Sequence, residues 1–177
     1  MHLTLDHYKD LGYAYVSEFF TKEETQYYTQ IMLDAKNNNI LKAETDVRYY
    51  NNSQGGCPVE LRTALQNKTQ QIKDLLGLTN VTAESVYARF YHNESTLNPH
   101  FDRKGLDHTL SVTLFTNLDE PWPLYCIDRK CNVVSFDIKP GDGAIIPGTR
   151  IVHWRRPLSC KPDQFAIQAF FHWKDPA

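Results

Sequence analysis

Residues 140–157 read P-G-D-G-A-I-I-P-G-T-R-I-V-H-W-R-R-P. Pro140-Gly141-Asp142 is a turn, Ala144-Ile145-Ile146 a short apolar strand, and Pro147-Gly148 a second turn. His153 follows five residues after Gly148. The same grain runs through the chain from about residue 82. Runs that alternate or are continuously apolar occupy 84–91, 109–116, 122–127, 132–138, 143–147 and 164–173. Turn formers punctuate them: Asn98-Pro99, Asn117, Pro140 to Gly143, and Pro147-Gly148. Short strands at such spacing argue for a sandwich or barrel.

Upstream the character differs. Gly12-Tyr13-Ala14-Tyr15-Val16 reads as a short strand. Thr21-Lys22-Glu23-Glu24 is a capping box with acidic residues in the first turn. Tyr28, Ile31, Met32 and Ala35 then recur at helical spacing, and Asn37-Asn38-Asn39 ends that helix. A second helix is expected from Pro58 at its first position, with Leu61, Ala64, Leu65, Ile72, Leu75 and Leu76 on one face and Gly77 as its stop. The order is helices first, then strands. The expected fold is mainly β with N-terminal helices, the helices covering one sheet of a β-sandwich. One domain is expected over 1–177, with helical support and a loop in 1–80 and the β core in 81–177.

The length suits one domain with a real core. Apolar residues make up 41% and charged residues 23%, so disorder is not expected. The net charge of −2 offers no basic surface for a phosphate backbone, so no nucleic-acid partner is expected. No apolar run is long enough to span a membrane. The opening M-H-L-T-L-D-H-Y-K-D lacks the pattern of a secretory signal, and a cytoplasmic location is expected. In that compartment Cys57, Cys126, Cys131 and Cys160 are expected as reduced thiols. The spacing of Cys126 and Cys131 fits zinc ribbons poorly.

Chemistry enters at residues 98–102, N-P-H-F-D. His100 and Asp102 stand two apart, so an extended segment points both to one face. His153 is the candidate third ligand from a distant strand. Two histidines and one carboxylate on one face of an octahedron leave three positions open, as in the facial triad of non-haem Fe(II) oxygenases. Alone, a His-x-Asp pair is common on surfaces. Its weight comes from joint order: helices, an R-F-Y strand, H-x-D, apolar strands, P-G-D, then His. His2, His7, His92, His108 and His172 have no comparable context and read as surface or core histidines.

On these stretches the chain resembles the Fe(II)- and 2-oxoglutarate-dependent dioxygenases of the prolyl-hydroxylase-like and phytanoyl-hydroxylase-like kind. The matching segments are Y-K-D-L-G-Y-A-Y-V-S-E-F-F-T-K-E-E, Y-A-R-F-Y-H-N-E-S-T-L-N-P-H-F-D, H-T-L-S-V-T-L-F-T-N, K-P-G-D-G-A-I-I-P-G and H-W-R-R-P-L. The resemblance implies a double-stranded β-helix, a cupin-like jelly roll flanked by two or more helices. It implies Fe(II), 2-oxoglutarate and O2 as cofactors, with ascorbate as a reductant. It implies hydroxylation of a C–H bond with release of succinate and CO2. An amino-acid side chain, free or in a peptide, is favoured over a nucleobase as substrate. The oligomeric state is not set.

The sequence departs from the family at the far carboxylate of 2-oxoglutarate. Relatives carry Arg or Lys at the start of the last core strand, where this chain has Gln164. Gln brings no charge. Lys161 sits in S-C-K-P-D, which reads as a turn. By alternation, Arg155 shares the face of His153 and Arg89 shares the face of Tyr91. Arg155 is assigned to the carboxylate, with Tyr91 as a hydroxyl donor. Arg89 is assigned to the same ligand or to the substrate. A surface ion pair is the ordinary alternative for either arginine. Arg156, one residue out of phase, is expected to face solvent. Tyr49 and Tyr50, beside the Gly55-Gly56 loop, are candidates to cover the substrate; most other aromatics, including Trp122, Trp154 and Trp173, are expected in the core. Two other classes stay open: a non-catalytic jelly-roll binding protein that keeps the metal frame, favoured by Gln164, and a zinc hydrolase on the same ligands.

Overall fold

The computed structural model describes residues 5–43, 49–50 and 53–176, and for 5, 6, 49 and 50 the backbone alone. The elements run in order α1 (Leu5–Leu11), β1 (Ala14–Val16), α2 (Lys22–Asn37), β2 (Lys42–Ala43), β3 (Tyr49–Tyr50), β4 (Gln54–Gly56), α3 (Val59–Asn67) and α4 (Thr69–Leu76). Strands follow: β5 (Thr82–Tyr91), β6 (Thr96–His100), β7 (His108–Thr116), β8 (Leu124–Ile127), β9 (Val133–Phe136), β10 (Gly143–Ile146), β11 (His153–Arg155) and β12 (Ala166–Lys174). They form two antiparallel sheets. The larger has the order β1-β10-β7-β12-β5-β4-β2 and the smaller β3-β6-β11-β8-β9. This is a jelly roll, mostly β with a few helices.

Period-2 alternation decides what each face of the large sheet meets. Val86, Ala88 and Phe90 of β5, Leu110, Val112 and Leu114 of β7, and Ile167, Ala169, Phe171 and Trp173 of β12 lie on one face. They join Met32, Leu61, Leu65, Ile72 and Leu76 of the helices in one apolar cluster. Each such side chain is worth about 1.5–3 kcal/mol when fully buried. Two hydrogen bonds pin helices to the sheet: Thr29 Oγ1 to the Leu114 carbonyl, 2.9 Å, and Trp173 Nε1 to Thr69 Oγ1, 3.0 Å. The opposite face carries Thr109, Ser111, Thr113, Gln168 and His172, all buried. That polar face points not to water but toward the smaller sheet. Leu124, Cys126, Phe136, Ala144, Ile146 and Ile151 close the far side with a second apolar cluster.

The capping box forms as read: Thr21 Oγ1 accepts from the Glu24 amide and Glu24 Oε2 accepts from the Thr21 amide. The helix expected from Pro58 to Leu76 is instead two. Lys68, with ψ of −4°, ends α3 and precedes α4. The apolar stripe is interrupted there by Lys68 and Thr69, whose side chains bond Glu24 and Trp173. Pro58 is the N-cap rather than the first helical residue, and Gly77 ends α4 with φ of +59°. Among the described residues no helix is long and apolar enough to cross a membrane. All four cysteines are free thiols.

Candidate metal centre

Strand pairing brings the two histidines together. His100 ends β6, His153 begins β11, and the two are cross-strand partners with ring centroids 4.3 Å apart. Asp102 lies two residues beyond β6, while Phe101 between them is exposed, as i/i+2 geometry requires. Asp102 Oδ1 stands 3.6 Å from His100 Nε2 and 3.8 Å from His153 Nε2. The three ligand atoms lie within 4.8 Å of one another. Ligands at right angles on a metal with bonds of about 2.1 Å are about 3 Å apart, so a small contraction closes this set on one ion.

The surroundings fix each donor. His100 Nδ1–H donates to the Asn98 carbonyl at 2.8 Å, and His153 Nδ1–H to the Ile151 carbonyl at 3.1 Å. A carbonyl can only accept, so Nδ1 holds the proton and the Nε2 lone pair is left for a metal. The Asp102 amide donates to the Gly148 carbonyl at 2.9 Å, and Asp102 Oδ2 accepts from the Thr109 hydroxyl. Burial opposes the charge of Asp102. The facing imidazoles of His100 and His153 and the Thr109 hydroxyl overcome it and hold the carboxyl well below its usual range. Burial pushes His153 down to about 4, against the pull of Asp102. At neutral pH His153 is a neutral imidazole and Asp102 a carboxylate, and with His100 Nε2 they form a donor set suited to a divalent cation.

Gly148 sits behind Asp102. A Cβ there would collide with Asp102 Oδ2 and Thr109 Oγ1 and stand 2.9 Å from Asp102 Cγ. Gly148→Ala should therefore displace the carboxylate. We expect divalent-metal affinity to fall about 10–100-fold and stability to fall by about 1–3 kcal/mol, read by metal titration and thermal unfolding. Unchanged metal affinity would show that Asp102 does not need this close approach.

The depressed pKa of His153 also sets an acid response. Between pH 4 and about 6.5 the unfolded chain carries a proton on this histidine that the folded chain does not. Stability of the metal-free protein should therefore rise with pH across that window, on the order of 3 kcal/mol. Asp102, held low, adds a loss at more acid pH, where its carboxyl protonates. Melting temperatures of the chelated protein from pH 4 to 7 check this; a flat profile would contradict it.

The three ligands open onto a cavity of about 340 Å³, whose walls include Tyr87, Arg89, Leu97, Ser111, Phe170 and His172. Ser111 Oγ is buried and has no hydrogen-bond partner among the described residues. Arg155, two residues beyond His153 on β11, is buried and stands outside the lining of this cavity. It donates to the Trp122 carbonyl and, at 3.1 Å, to Gln168 Oε1, and its guanidinium lies 4.8 Å from the Trp122 ring centre. Its Nε has no hydrogen-bond partner among the described residues. Burial lowers its pKa to about 10, so it stays charged at neutral pH. Tyr91 is buried with its ring 4.8 Å from that of Trp122. Arg89 is buried on the cavity wall and donates to Ser53 Oγ at 3.3 Å.

Gln164 does not join this group. Its Nε2 donates to the Asn117 carbonyl and Asp119 Oδ1, and its Oε1 accepts from the Lys161 amide, so it braces the turn before β12. Lys161 pairs with Asp119 at 2.8 Å. Arg156 is exposed, over the Tyr125 ring. Tyr49 and Tyr50 pair with Leu97 and Thr96 at the edge of the smaller sheet; their side chains lie outside the described residues. Sequence reading missed Thr109, Ser111, Gly148, Gln168 and His172. A signal is present in the sequence: 109, 111 and 113, and 168, 170 and 172, form alternating sets within two of the expected strands.

No protein-family model and no curated protein matches the sequence. Solved structures do match. A prolyl-4-hydroxylase from Pseudomonas putida superposes with a TM-score of 0.70 at 11% identity over 96% of each chain. A prolyl hydroxylase from Trichoplax adhaerens, in complex with a hypoxia-inducible-factor oxygen-degradation-domain peptide, gives 0.73 at 14% identity over 96% of this chain and 87% of its own. HygX from Streptomyces hygroscopicus, with nickel and 2-oxoglutarate bound, gives 0.69 at 12% identity over 96% and 85%; another HygX structure also holds hygromycin B. At such identities the likeness is one of fold: this chain has the jelly roll seen in 2-oxoglutarate- and Fe(II)-dependent oxygenases.

Proposed function

We propose that this chain, built on the oxygenase jelly roll, is an Fe(II)- and 2-oxoglutarate-dependent dioxygenase that hydroxylates a C–H bond. The observation that carries the reading is a pair. A His-Asp-His donor set is present, and two residues beyond its His153 on β11 lies the buried guanidinium of Arg155, with no carboxylate partner among the described residues. A buried cation without a counter-ion is costly, and an anionic ligand removes that cost.

His100, Asp102 and His153 hold the metal through two Nε2 atoms and Asp102 Oδ1. The bound iron supplies the oxidising chemistry: O2 is consumed with 2-oxoglutarate, which leaves as succinate and CO2, while the substrate gains a hydroxyl. Arg155 meets the far carboxylate, its planar guanidinium being suited to carboxylate oxygens. Tyr91 lends a hydroxyl to the same end, and Ser111 Oγ offers a further polar contact. Arg89 faces the co-substrate or the substrate from the opposite wall. Leu97, Leu124 and Ile146 keep water from the metal side of the cavity. Tyr49 and Tyr50 are assigned to the substrate side, and ascorbate is the reductant expected to keep the metal ferrous.

The substrate is an amino-acid side chain, free or within a peptide. Proteins of this fold accept both peptides and small molecules, and a cavity of about 340 Å³ suits one side chain rather than a large ring system. The test is succinate release from 2-oxoglutarate by the iron-loaded protein, alone and with a panel of amino acids and short peptides. Succinate that rises with one class of substrate supports the reading. Absence of both succinate and 2-oxoglutarate binding would sink it. The rival reading, a binding protein without turnover, drew on the missing cation at Gln164. Metal binding without co-substrate affinity would favour it.

A further inference from the structure

Arg155 is held from across the barrel by one residue. Gln168 lies on β12 of the larger sheet, in register with Arg89 on one side and Thr113 on the other. Its Oε1 accepts twice: from Arg155 Nη2 at 3.1 Å and from Thr113 Oγ1 at 3.1 Å. An arginine has no acceptor, so the amide oxygen, not the nitrogen, must face it. Gln168 is itself buried. The other partner of Arg155 is the Trp122 carbonyl. Both acceptors are neutral.

That neutrality is the point. The position calls for an acceptor, and a carboxylate would satisfy it more strongly, since hydrogen bonds between charged partners are about twice as strong as neutral ones. A glutamate at 168 would be isosteric and would form a buried ion pair with Arg155. It would also discharge the guanidinium and leave it no call for another anion. A neutral amide orients the same group while leaving its charge uncompensated. Arg155 Nε and Ser111 Oγ are both buried without a hydrogen-bond partner among the described residues, which agrees with a polar ligand reaching each of them. We propose that Gln168 is the positioning residue of the far-carboxylate subsite: it aims Arg155 into the barrel, and by being neutral it reserves the guanidinium for a dicarboxylate ligand. This rests on the oxygenase reading and assigns a role to a residue that does not itself touch the metal.

The test uses the full chain loaded with nickel, with 2-oxoglutarate binding followed by calorimetry and folding by thermal unfolding. Gln168→Glu keeps the acceptor, so a merely structural residue would tolerate it. We expect a melting temperature equal to or above that of the unaltered protein, unchanged nickel affinity, and 2-oxoglutarate affinity weakened about thirty-fold or more. Gln168→Met keeps the volume but accepts nothing. It should weaken 2-oxoglutarate binding about three- to ten-fold, and with iron it should raise KM for 2-oxoglutarate while leaving kcat at saturation unchanged. Binding within two-fold of the unaltered protein in either folded variant overturns the inference and leaves the oxygenase reading standing. If the unaltered protein binds no 2-oxoglutarate, the oxygenase reading itself fails and this inference falls with it.

Discussion

Alanine at His153 will leave a protein that binds no divalent metal tightly and turns over no 2-oxoglutarate. The imidazole is buried, and its Nε2 is one of the three donors that converge among the described residues. Residues that merely support a ligand are worth about 10–100-fold in metal affinity, so loss of a ligand should cost on the order of 10³-fold or more. The fold should survive. The removed group is neutral in the folded state, and its ring donates one hydrogen bond to the Ile151 carbonyl, worth about 1 kcal/mol net. A second signature separates this from general damage. The rise in metal-free stability between pH 4 and 6.5 should vanish in His153→Ala, because the group responsible for it is gone. Metal titration, succinate assay and acid melting curves read all three. Retained tight metal binding would overturn the triad.

Methionine at Arg155 should abolish detectable 2-oxoglutarate binding at concentrations that saturate the unaltered protein, a loss of about 10²-fold or more, with metal affinity intact. Each charge-assisted hydrogen bond lost is worth about 1.5–3 kcal/mol. Stability should hardly move. Exchanging a buried ion for an apolar side chain of similar volume is often neutral or favourable by about 1–4 kcal/mol. The two acceptors left behind, on Trp122 and Gln168, offset this by about 1–2 kcal/mol each. Arg155→Lys keeps the charge but not the planar fork, so it should recover part of the binding. An unchanged dissociation constant in Arg155→Met would move the far carboxylate to another cation, with Arg89 next in line.

The contrast between Arg155 and Gln164 shows where sequence reasoning ran short. By comparison with relatives, Gln164 stands where a cation is expected, and its side chain braces a turn instead. Arg155 was reached by counting two residues from His153, and the pairing of β11 keeps it on the inner face despite a register shift between them. Alternation could name the faces of β7 and β12. It could not say that the polar set Thr109, Ser111 and Thr113 would be buried. A polar face usually meets water; here a second sheet covers it, and the hydroxyls turn inward around a cavity. The single helix expected from Pro58 failed for a related reason: what Lys68 and Thr69 bond lies far along the chain.

The sequence by itself determined the element order, the strand-rich core, the capping box and the three candidate ligands, because those signals are local. An i/i+2 pair shares a face wherever it is extended, and Pro-Gly turns fix where a strand must stop. Only the tertiary structure decided that Gly148 backs Asp102, that Thr109 holds its second oxygen, and that Gln168 reaches Arg155 from the opposite sheet. Those relations depend on which strands pair, in what register, and how two sheets face one another. A side chain's neighbours across a barrel are set by long-range packing, which no spacing along the chain records.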